Sequence, residues 1–72
     1  MKRIHEALTE KAAGFTKGQR LLARFITEQC EKAAFMSSFD LASVTGVSQS
    51  TVIRFAAALG YAGYGDVQDA LQ

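Results

Sequence analysis

Apolar residues along the chain recur at helical rather than strand spacing. In the first segment Ile4, Leu8 and Ala12 follow one another four positions apart, and charged or polar residues fill most positions between them. This spacing places the apolar side chains on one face of a helix. The pattern therefore predicts a helix from Arg3 to Ala13, which Gly14 ends.

A second helix is predicted from about Lys17 to Cys30. Thr16 and Gln19 form a capping-box pattern at its start, in which each side chain accepts a hydrogen bond from the backbone amide of the other residue. The apolar stripe of this helix comprises Leu21, Leu22, Phe25 and Ile26. An Ala-rich connection follows, in which we expect Phe35 and Met36 to belong to the core.

Two short helices joined by a glycine turn are predicted next. Ser37 caps the third helix. The helix ends at Gly46, because a left-handed backbone conformation costs glycine less free energy than any residue with a Cβ. Ser48 starts the fourth helix by accepting a hydrogen bond from an amide two or three residues later. The apolar positions are Phe39, Leu41, Ala42 and Val44 in the third helix and Val52, Phe55, Ala56 and Leu59 in the fourth. Gly60 closes the fourth helix, and the tail from Tyr61 to Gln72 predicts a fifth.

The third and fourth predicted helices have the spacing of a helix-turn-helix motif. Ala42 lets the two backbones approach, and Gly46 makes the sharp reversal between the helices. Burial of Leu41, Val47, Val52 and Phe55 fixes the crossing angle. We place the motif at residues 38–57, within a single domain of residues 1–72. The predicted fold is all-α, a compact homeodomain-like bundle of about five short helices.

In such a motif the second helix, here about residues 49–59, enters the major groove of double-stranded DNA. Its first turn and solvent face then meet the base edges. Gln49 can pair with adenine, Arg54 with guanine or a phosphate, and Ile53 with a thymine methyl. The candidate DNA-binding residues are Ser48, Gln49, Ser50, Thr51, Ile53, Arg54 and Ala57.

Some of these candidates also have a purely structural interpretation. Ser48 can serve as a helix cap alone, and Ser50 and Thr51 can be solvated residues of a first turn. Ile53 can belong to the core. These alternatives remain open at the level of the sequence.

Charge is distributed unevenly, although the net charge is only +1. Residues 1–36 carry seven basic against four acidic residues, a balance of +3, whereas residues 37–72 carry Arg54 against three aspartates, a balance of −2. Attraction to phosphates must therefore come largely from the first half of the chain. Candidate phosphate contacts are Lys17, Arg20 and Ser37, with Lys2 or Arg3 in addition.

Composition argues against several other functions. One cysteine, Cys30, and one histidine, His5, cannot supply the four ligands of a zinc site, and no nucleophile and base accompany the aspartates. We therefore expect no enzyme, no metal and no cofactor, with His5 at the surface and Cys30 as a partly buried thiol. No apolar run reaches the ~20 residues of a membrane span, so no membrane partner is expected. The lone cysteine fits a reducing compartment.

Several short strings identify a family resemblance. They are FTKGQR at 15–20, AFMS at 34–37, LA at 41–42, GVS at 46–48, STVIRF at 50–55 and LGYAGY at 59–64. Together they resemble the N-terminal domain of RpiR-type bacterial transcription regulators over nearly the whole chain. One departure concerns charge: relatives often carry basic residues where this sequence has Ala57, Ala58, Ala62 and Gly63.

The resemblance implies a winged-helix-like or extended helix-turn-helix domain that dimerises on DNA in the bacterial cytoplasm, at the nucleoid. It also implies that a sugar-isomerase-type domain, which binds a phosphosugar effector, follows in the full protein; the chain stops at Gln72 without it. The expected function is sequence-specific DNA binding in a regulator of sugar or sugar-phosphate metabolism. A homodimer would place two recognition helices ~34 Å apart on a palindromic operator.

Two other function classes are weighed against this one. A helical protein-interaction or dimerisation module without DNA binding would explain the −2 balance of residues 37–72 and the alanines of the fourth helix. A small enzyme or cofactor-binding fragment is disfavoured by chain length and by the missing catalytic set.

Overall fold

A computed structural model describes residues 2–72, with side chains from Ile4 onward. Six α-helices form in this part of the chain, together with one 3₁₀ turn at Ala12–Gly14, and no strand is found there. The α-helices are α1 (Lys2–Lys11), α2 (Lys17–Glu28), α3 (Cys30–Ala33), α4 (Ser38–Thr45), α5 (Gln49–Ala58) and α6 (Tyr64–Leu71). The all-α fold class is confirmed. Because a wing is a β-hairpin, the absence of strands from residues 2–72 favours the extended over the winged helix-turn-helix.

Side chains cap the start of α2 and of the two helices of the predicted motif, α4 and α5. The Thr16 hydroxyl accepts from the Gln19 amide at 3.2 Å, and the Gln19 side chain accepts from the Thr16 amide at 3.0 Å. Ser37 and Ser48 each accept, at 3.1 Å, a hydrogen bond from the amide three residues later. The predicted caps of α2, α4 and α5 are therefore confirmed, and the starts of these helices are fixed by local sequence.

Two glycines end helices in the left-handed conformation. Gly46 has φ 77° and Gly60 has φ 94°, and they are the two described residues with positive φ. At the first of these turns the amides of Gly46 and Val47 both donate to the carbonyl of Ala42, at 2.9 and 3.1 Å. These bonds satisfy a carbonyl that the end of α4 would otherwise leave unpaired. The predicted glycine reversal between α4 and α5 is confirmed.

The core receives side chains from all six helices and from the turn before α2. The predicted inner face of α5 is buried as expected, and the Phe55 ring lies 5.4 Å from that of Phe15, inclined by 55°. Centroid separations in this range suit aromatic pairs. The largest fully buried side chains are Ile4, Leu22, Ile26, Leu41, Val52, Phe55 and Val67.

Helix boundaries differ from the prediction at four places. The segment predicted as an Ala-rich connection contains α3, a single turn too short to show periodic spacing. The second helix ends at Glu28 rather than Cys30, and the terminal helix begins at Tyr64 rather than Tyr61. The first helix gives way to the 3₁₀ turn at Ala12, whose side chain is exposed instead of continuing the apolar face.

Some apolar side chains that were expected inside lie outside. Phe35 is 79% exposed, because Ala33 and Ala34 occupy the core positions of that segment. In α4, Phe39 and Val44 are exposed, since this short helix turns only its Leu41 and Ala42 side toward the core. Leu21 of the predicted stripe in α2 is likewise exposed. Apolar character was thus a poor guide to burial at these positions.

Hydrogen bonds from the last helix, α6, and from Gln72 after it stabilise the segment that leads into α4. Tyr64 donates its hydroxyl proton to the carbonyl of Ala33 at 3.2 Å, and the Gln68 and Gln72 amides donate at 2.9 Å to the carbonyls of Met36 and Ala34. Burial, and then the nearby negative charge of an aspartate, raise the pKa of the Tyr64 phenol above its ordinary value. These bonds pair carbonyls at the end of α3 and in the segment after it, and they hold the residues that lead to the α4 cap.

Candidate nucleic-acid interface

The two helices of the motif pack against one another across the 46–48 turn. Ala42 of α4 is buried, as predicted, and its place at the contact between the two helices stays a prediction. Val47 is half-buried and packs against the core, so it anchors the turn without being fully enclosed. Leu41, Val52 and Phe55 are fully buried, which fixes the orientation of α5 on the rest of the domain.

The solvent face of α5 carries most of the predicted DNA-binding residues. The exposed candidates are Ser48, Gln49, Ser50, Ile53, Arg54 and Ala57, whereas Thr51 is half-buried. Ile53 is 54% exposed, so the interpretation that it belongs to the core is wrong. The opposite face of α5 is buried, and the helix is therefore held from one side while it offers the other to a partner.

Ser48 and Thr51 are engaged with each other at the start of α5. The Ser48 hydroxyl accepts from the Thr51 amide at 3.1 Å, and the two hydroxyl oxygens lie 2.8 Å apart. The structural role of Ser48 as a cap is confirmed. Its contact with DNA, like that of Thr51, stays a prediction.

Gln49 makes a hydrogen bond that crosses the motif. Its side-chain Nε2 donates to the hydroxyl of Ser38 at 3.0 Å, across a separation of 11 residues. The bond joins the first residue of α4 to the first residue of α5. Sequence reasoning assigned no role to Ser38, because nothing in the spacing shows which serine of α4 lies beside Gln49.

The start of α2 also lies against the first turn of α5. A Cβ at Gly18 would stand 3.2 Å from Cγ2 of Thr51 and 3.5 Å from Cγ1 of Val47, so the absence of a side chain permits this close approach. Lys17 and Arg20, which flank this position, are both exposed. Sequence reasoning missed Gly18, because an isolated glycine inside a helical segment is tolerated and does not by itself indicate close packing.

Three capped helix N-termini therefore converge around the beginning of α5. The contacts of Gly18 with Thr51 and of Ser38 with Gln49 bring the starts of α2 and α4 to this point. Helix N-termini carry partial positive charge and amides without helical partners, which attract anions. This arrangement adds positive potential to a half of the chain in which Arg54 is the single basic residue.

The predicted phosphate contacts are only partly gathered at this site. Lys17 and Arg20 lie in the first turn of α2, and the exposed Ser37 caps α4 next to Ser38. The side chains of Lys2 and Arg3 lie outside the described residues. The structure thus places two of the basic candidates on an element that touches α5, without showing what their side chains bind.

Outside this face, His5 is exposed and Cys30 is half-buried, as expected. Among residues 2–72, no three His, Cys, Asp or Glu side chains lie close enough to hold a metal ion. Within the same residues, none of the helices combines the length and the apolar character that crossing a membrane requires.

Comparison with known proteins finds a family model that matches the described chain and relatives that match part of it. The family model "Helix-turn-helix domain, rpiR family" matches residues 2–72. The chain is 37% identical over 57 residues to YfhH, an uncharacterized HTH-type transcriptional regulator of Escherichia coli (strain K12). The aligned region covers 79% of this chain and 20% of that protein. It is 40% identical over 48 residues to an uncharacterized HTH-type transcriptional regulator in the aarA 3' region of Providencia stuartii. This alignment covers 67% of this chain and 17% of that protein. The matched region spans about a fifth of each relative's length or less.

Proposed function

The chain belongs to the rpiR family of helix-turn-helix domains of transcription regulators, and from that premise we propose that it binds a specific DNA sequence by placing α5 in the major groove. The observation that carries the proposal is the division of α5 into two faces. One face is buried against the domain, and the other presents polar and charged side chains of the kind that read base edges.

Base recognition is assigned to four exposed side chains of α5. Gln49 pairs with adenine, Arg54 with guanine or a backbone phosphate, and Ile53 with a thymine methyl group. Ser50 donates to, or accepts from, several bases. Ala57 lies further along the same helix and permits close approach of its backbone to the groove.

Phosphate contacts are assigned to the rim around the start of α5. Lys17 and Arg20 of α2 neutralise phosphates on one side, and the α4 cap at Ser37 offers free amides on another. Ser48 and Thr51 are occupied with each other, and the Thr51 amide donates to the Ser48 hydroxyl, so the amides of Gln49 and Ser50 are the ones left for a phosphate. Positive potential from the helix N-termini offsets the low basic content of residues 37–72.

Dimer formation and effector control complete the proposed function. A homodimer of this domain reads a palindromic operator through two α5 helices ~34 Å apart. In the full protein, a phosphosugar bound to a following sugar-isomerase-type domain regulates this binding, and the much greater length of both relatives leaves room for such a domain. The genes controlled are those of sugar or sugar-phosphate metabolism.

A second candidate function is a helical protein-interaction module that does not bind DNA. Two exposed aromatic side chains favour it, since Phe35 is 79% and Phe39 66% exposed. Contiguous exposed apolar patches commonly mark protein contacts, and these two side chains lie only four residues apart in the sequence. Association that is independent of salt, without DNA affinity, would identify this function.

Binding to a randomised duplex library at several salt concentrations tests the proposal. We expect log K to fall linearly with log salt, and affinity to be weak at physiological salt because basic residues are few. Arg54→Ala should cost about 1–3 kcal/mol with altered sequence preference if Arg54 reads a base. If Arg54 holds a phosphate, the loss should be uniform and the salt slope should fall by about 1.

Arg24→Ala is the matched control, because it removes the same charge from an exposed arginine of α2. Arg24 is paired with Glu28 at 3.3 Å and lies outside the assigned interface, so its loss should cost little stability and leave the sequence preference unchanged. Absence of any bound duplex at low salt would contradict the proposed function. Equal losses for the two arginine variants would contradict the role of Arg54.

A further inference from the structure

The side chain of Gln49 is held in place by a residue from the other helix of the motif. We propose that Ser38 orients the Gln49 amide toward adenine, and so sets part of the sequence preference of the domain. This inference rests on the proposed function, because it assumes that α5 lies in the major groove. Ser38 is a positioning residue in this scheme, and Gln49 is the residue that touches the base.

The hydrogen bond to Ser38 leaves the amide with the groups that adenine requires. Nε2 of Gln49 carries two hydrogens, and one of them donates to the Ser38 hydroxyl at 3.0 Å. The second hydrogen and the Oε1 oxygen remain. Adenine presents N7 as an acceptor and its N6 amino group as a donor, which these two groups match. The amide can therefore keep its bond to Ser38 while it reads the base.

Both ends of this link stand on fixed backbone. Ser38 is half-buried at the first position of α4, directly after the Ser37 cap, and Gln49 directly follows the Ser48 cap of α5. The Gly46 turn fixes the two helices relative to each other. The position of the amide is thus determined by capped helix starts rather than by a mobile loop.

Orientation before binding has a direct effect on discrimination. A free glutamine side chain at the surface samples many rotamers, and ordering it on DNA opposes binding. The bond to Ser38 orders the Gln49 side chain before DNA binds. This lowers the cost of pairing, and so strengthens binding only at a base with which Gln49 can pair. Loss of the bond should therefore weaken recognition of adenine and leave phosphate contacts unaffected.

Ser38→Ala is a clean perturbation because Ser38 is not the cap of α4. Ser37 supplies the cap, and alanine is a better helix former than serine at a helical position. This gain in helix propensity offsets much of the contribution of the lost hydrogen bond to stability. Thermal unfolding should therefore show Ser38→Ala to be as stable as the wild type.

The experiment begins with duplexes that the wild type selects from a randomised library at low salt. Affinities are then measured for the selected duplex and for versions that differ from it at one position. In one set a single adenine is replaced by 7-deazaadenine, which lacks the N7 acceptor, and in the other a single A·T pair is replaced by G·C. The proteins compared are wild type, Gln49→Ala, Ser38→Ala, Ser38→Thr and Ser43→Ala. Ser43 is an exposed serine of the same α4 helix that makes no hydrogen bond to Gln49.

We expect one adenine in each half-site whose replacement by G·C weakens wild-type binding about 5- to 150-fold. Gln49→Ala should abolish this preference. Ser38→Ala should reduce it about 2- to 10-fold, the contribution of one hydrogen bond, with an unchanged salt slope. Ser38→Thr, which keeps the hydroxyl, should restore the preference, and Ser43→Ala should behave as the wild type.

The outcomes separate this inference from the proposed function. Full adenine preference in Ser38→Ala would overturn the inference alone, since α5 would still read the sequence without help from Ser38. A uniform loss on all duplexes would also overturn it, because Ser38 would then support the fold or the phosphate contacts. Unchanged preference in Gln49→Ala would show that Gln49 reads no base. Failure of the wild type to select any common sequence would overturn the proposed function and the inference together.

Discussion

Replacement of Gly46 by alanine isolates the energetic cost of the turn between α4 and α5. Gly46 has φ 77°, and a Cβ built there meets no atom within 4 Å. Steric clash with neighbouring residues therefore contributes nothing, and the cost comes from the backbone conformation alone. Gly14 provides the matched control, because a Cβ there also meets nothing within 4 Å and its φ lies outside the left-handed range.

The magnitude follows from two opposing terms. Alanine in place of glycine stabilises a compatible site by about 0.4–1 kcal/mol, because it reduces the entropy of the unfolded chain. The left-handed conformation costs a residue with a Cβ about 1–2 kcal/mol. Gly14→Ala should therefore raise the free energy of unfolding, Gly46→Ala should lower it by up to ~1.6 kcal/mol, and the two should differ by about 1–2 kcal/mol.

Urea and thermal unfolding followed by far-UV circular dichroism would measure both variants. For a domain of this size, the difference between the variants corresponds to about 5–15 °C in Tm. Equal stabilisation by the two alanines would refute the reasoning, since it would mean that the turn relaxes out of the left-handed conformation at little cost. A loss much larger than 2 kcal/mol at Gly46 would refute it too, because it would require steric contacts that the open surroundings do not provide.

Two further predictions concern α6 and α2. Burial of the Tyr64 phenol, and to a smaller extent the negative charge of Asp40, raise the pKa of Tyr64 in the folded state. The unfolded state therefore loses its phenolic proton first, and the free energy of unfolding should fall as the pH rises above ~10. Tyr64→Phe should flatten this decline and cost ~1 kcal/mol at neutral pH through the lost bond to Ala33, as urea unfolding from neutral to alkaline pH would show. Gly18→Leu should destabilise the domain by about 1–3 kcal/mol and weaken DNA binding, because even a Cβ would lie 3.2 Å from Thr51. Gly65→Leu, at a position open to solvent, should leave DNA binding unchanged, and similar binding losses in both leucine variants would argue against a specific role for Gly18.

The fold was predictable wherever local chemistry decides structure. The capping pairs at the starts of α2, α4 and α5 and the left-handed Gly46 depend on residues within three or four positions of one another. The single turn α3 escaped prediction because four residues cannot repeat an apolar period. Phe35 was wrongly assigned to the core because hydrophobicity does not reveal which of several adjacent apolar residues the available space admits.

The candidate site was predictable only in part. The exposed face of α5 followed from helical periodicity once Val52 and Phe55 were assigned to the inside. The link between Ser38 and Gln49, and the approach of Gly18 to Thr51, depend on how separate helices meet. Such contacts join residues far apart in sequence, so no local pattern encodes them.

The last helix has a consequence for how the domain is made in the cell. α6 packs against α1, the first helix of the chain, and its Gln72 amide binds the carbonyl of Ala34, 38 residues earlier. During synthesis the motif that carries α5 leaves the ribosome before the helix that closes the core behind it. Because contacts between distant residues form late in folding, the nascent domain becomes complete only when its final turn has emerged.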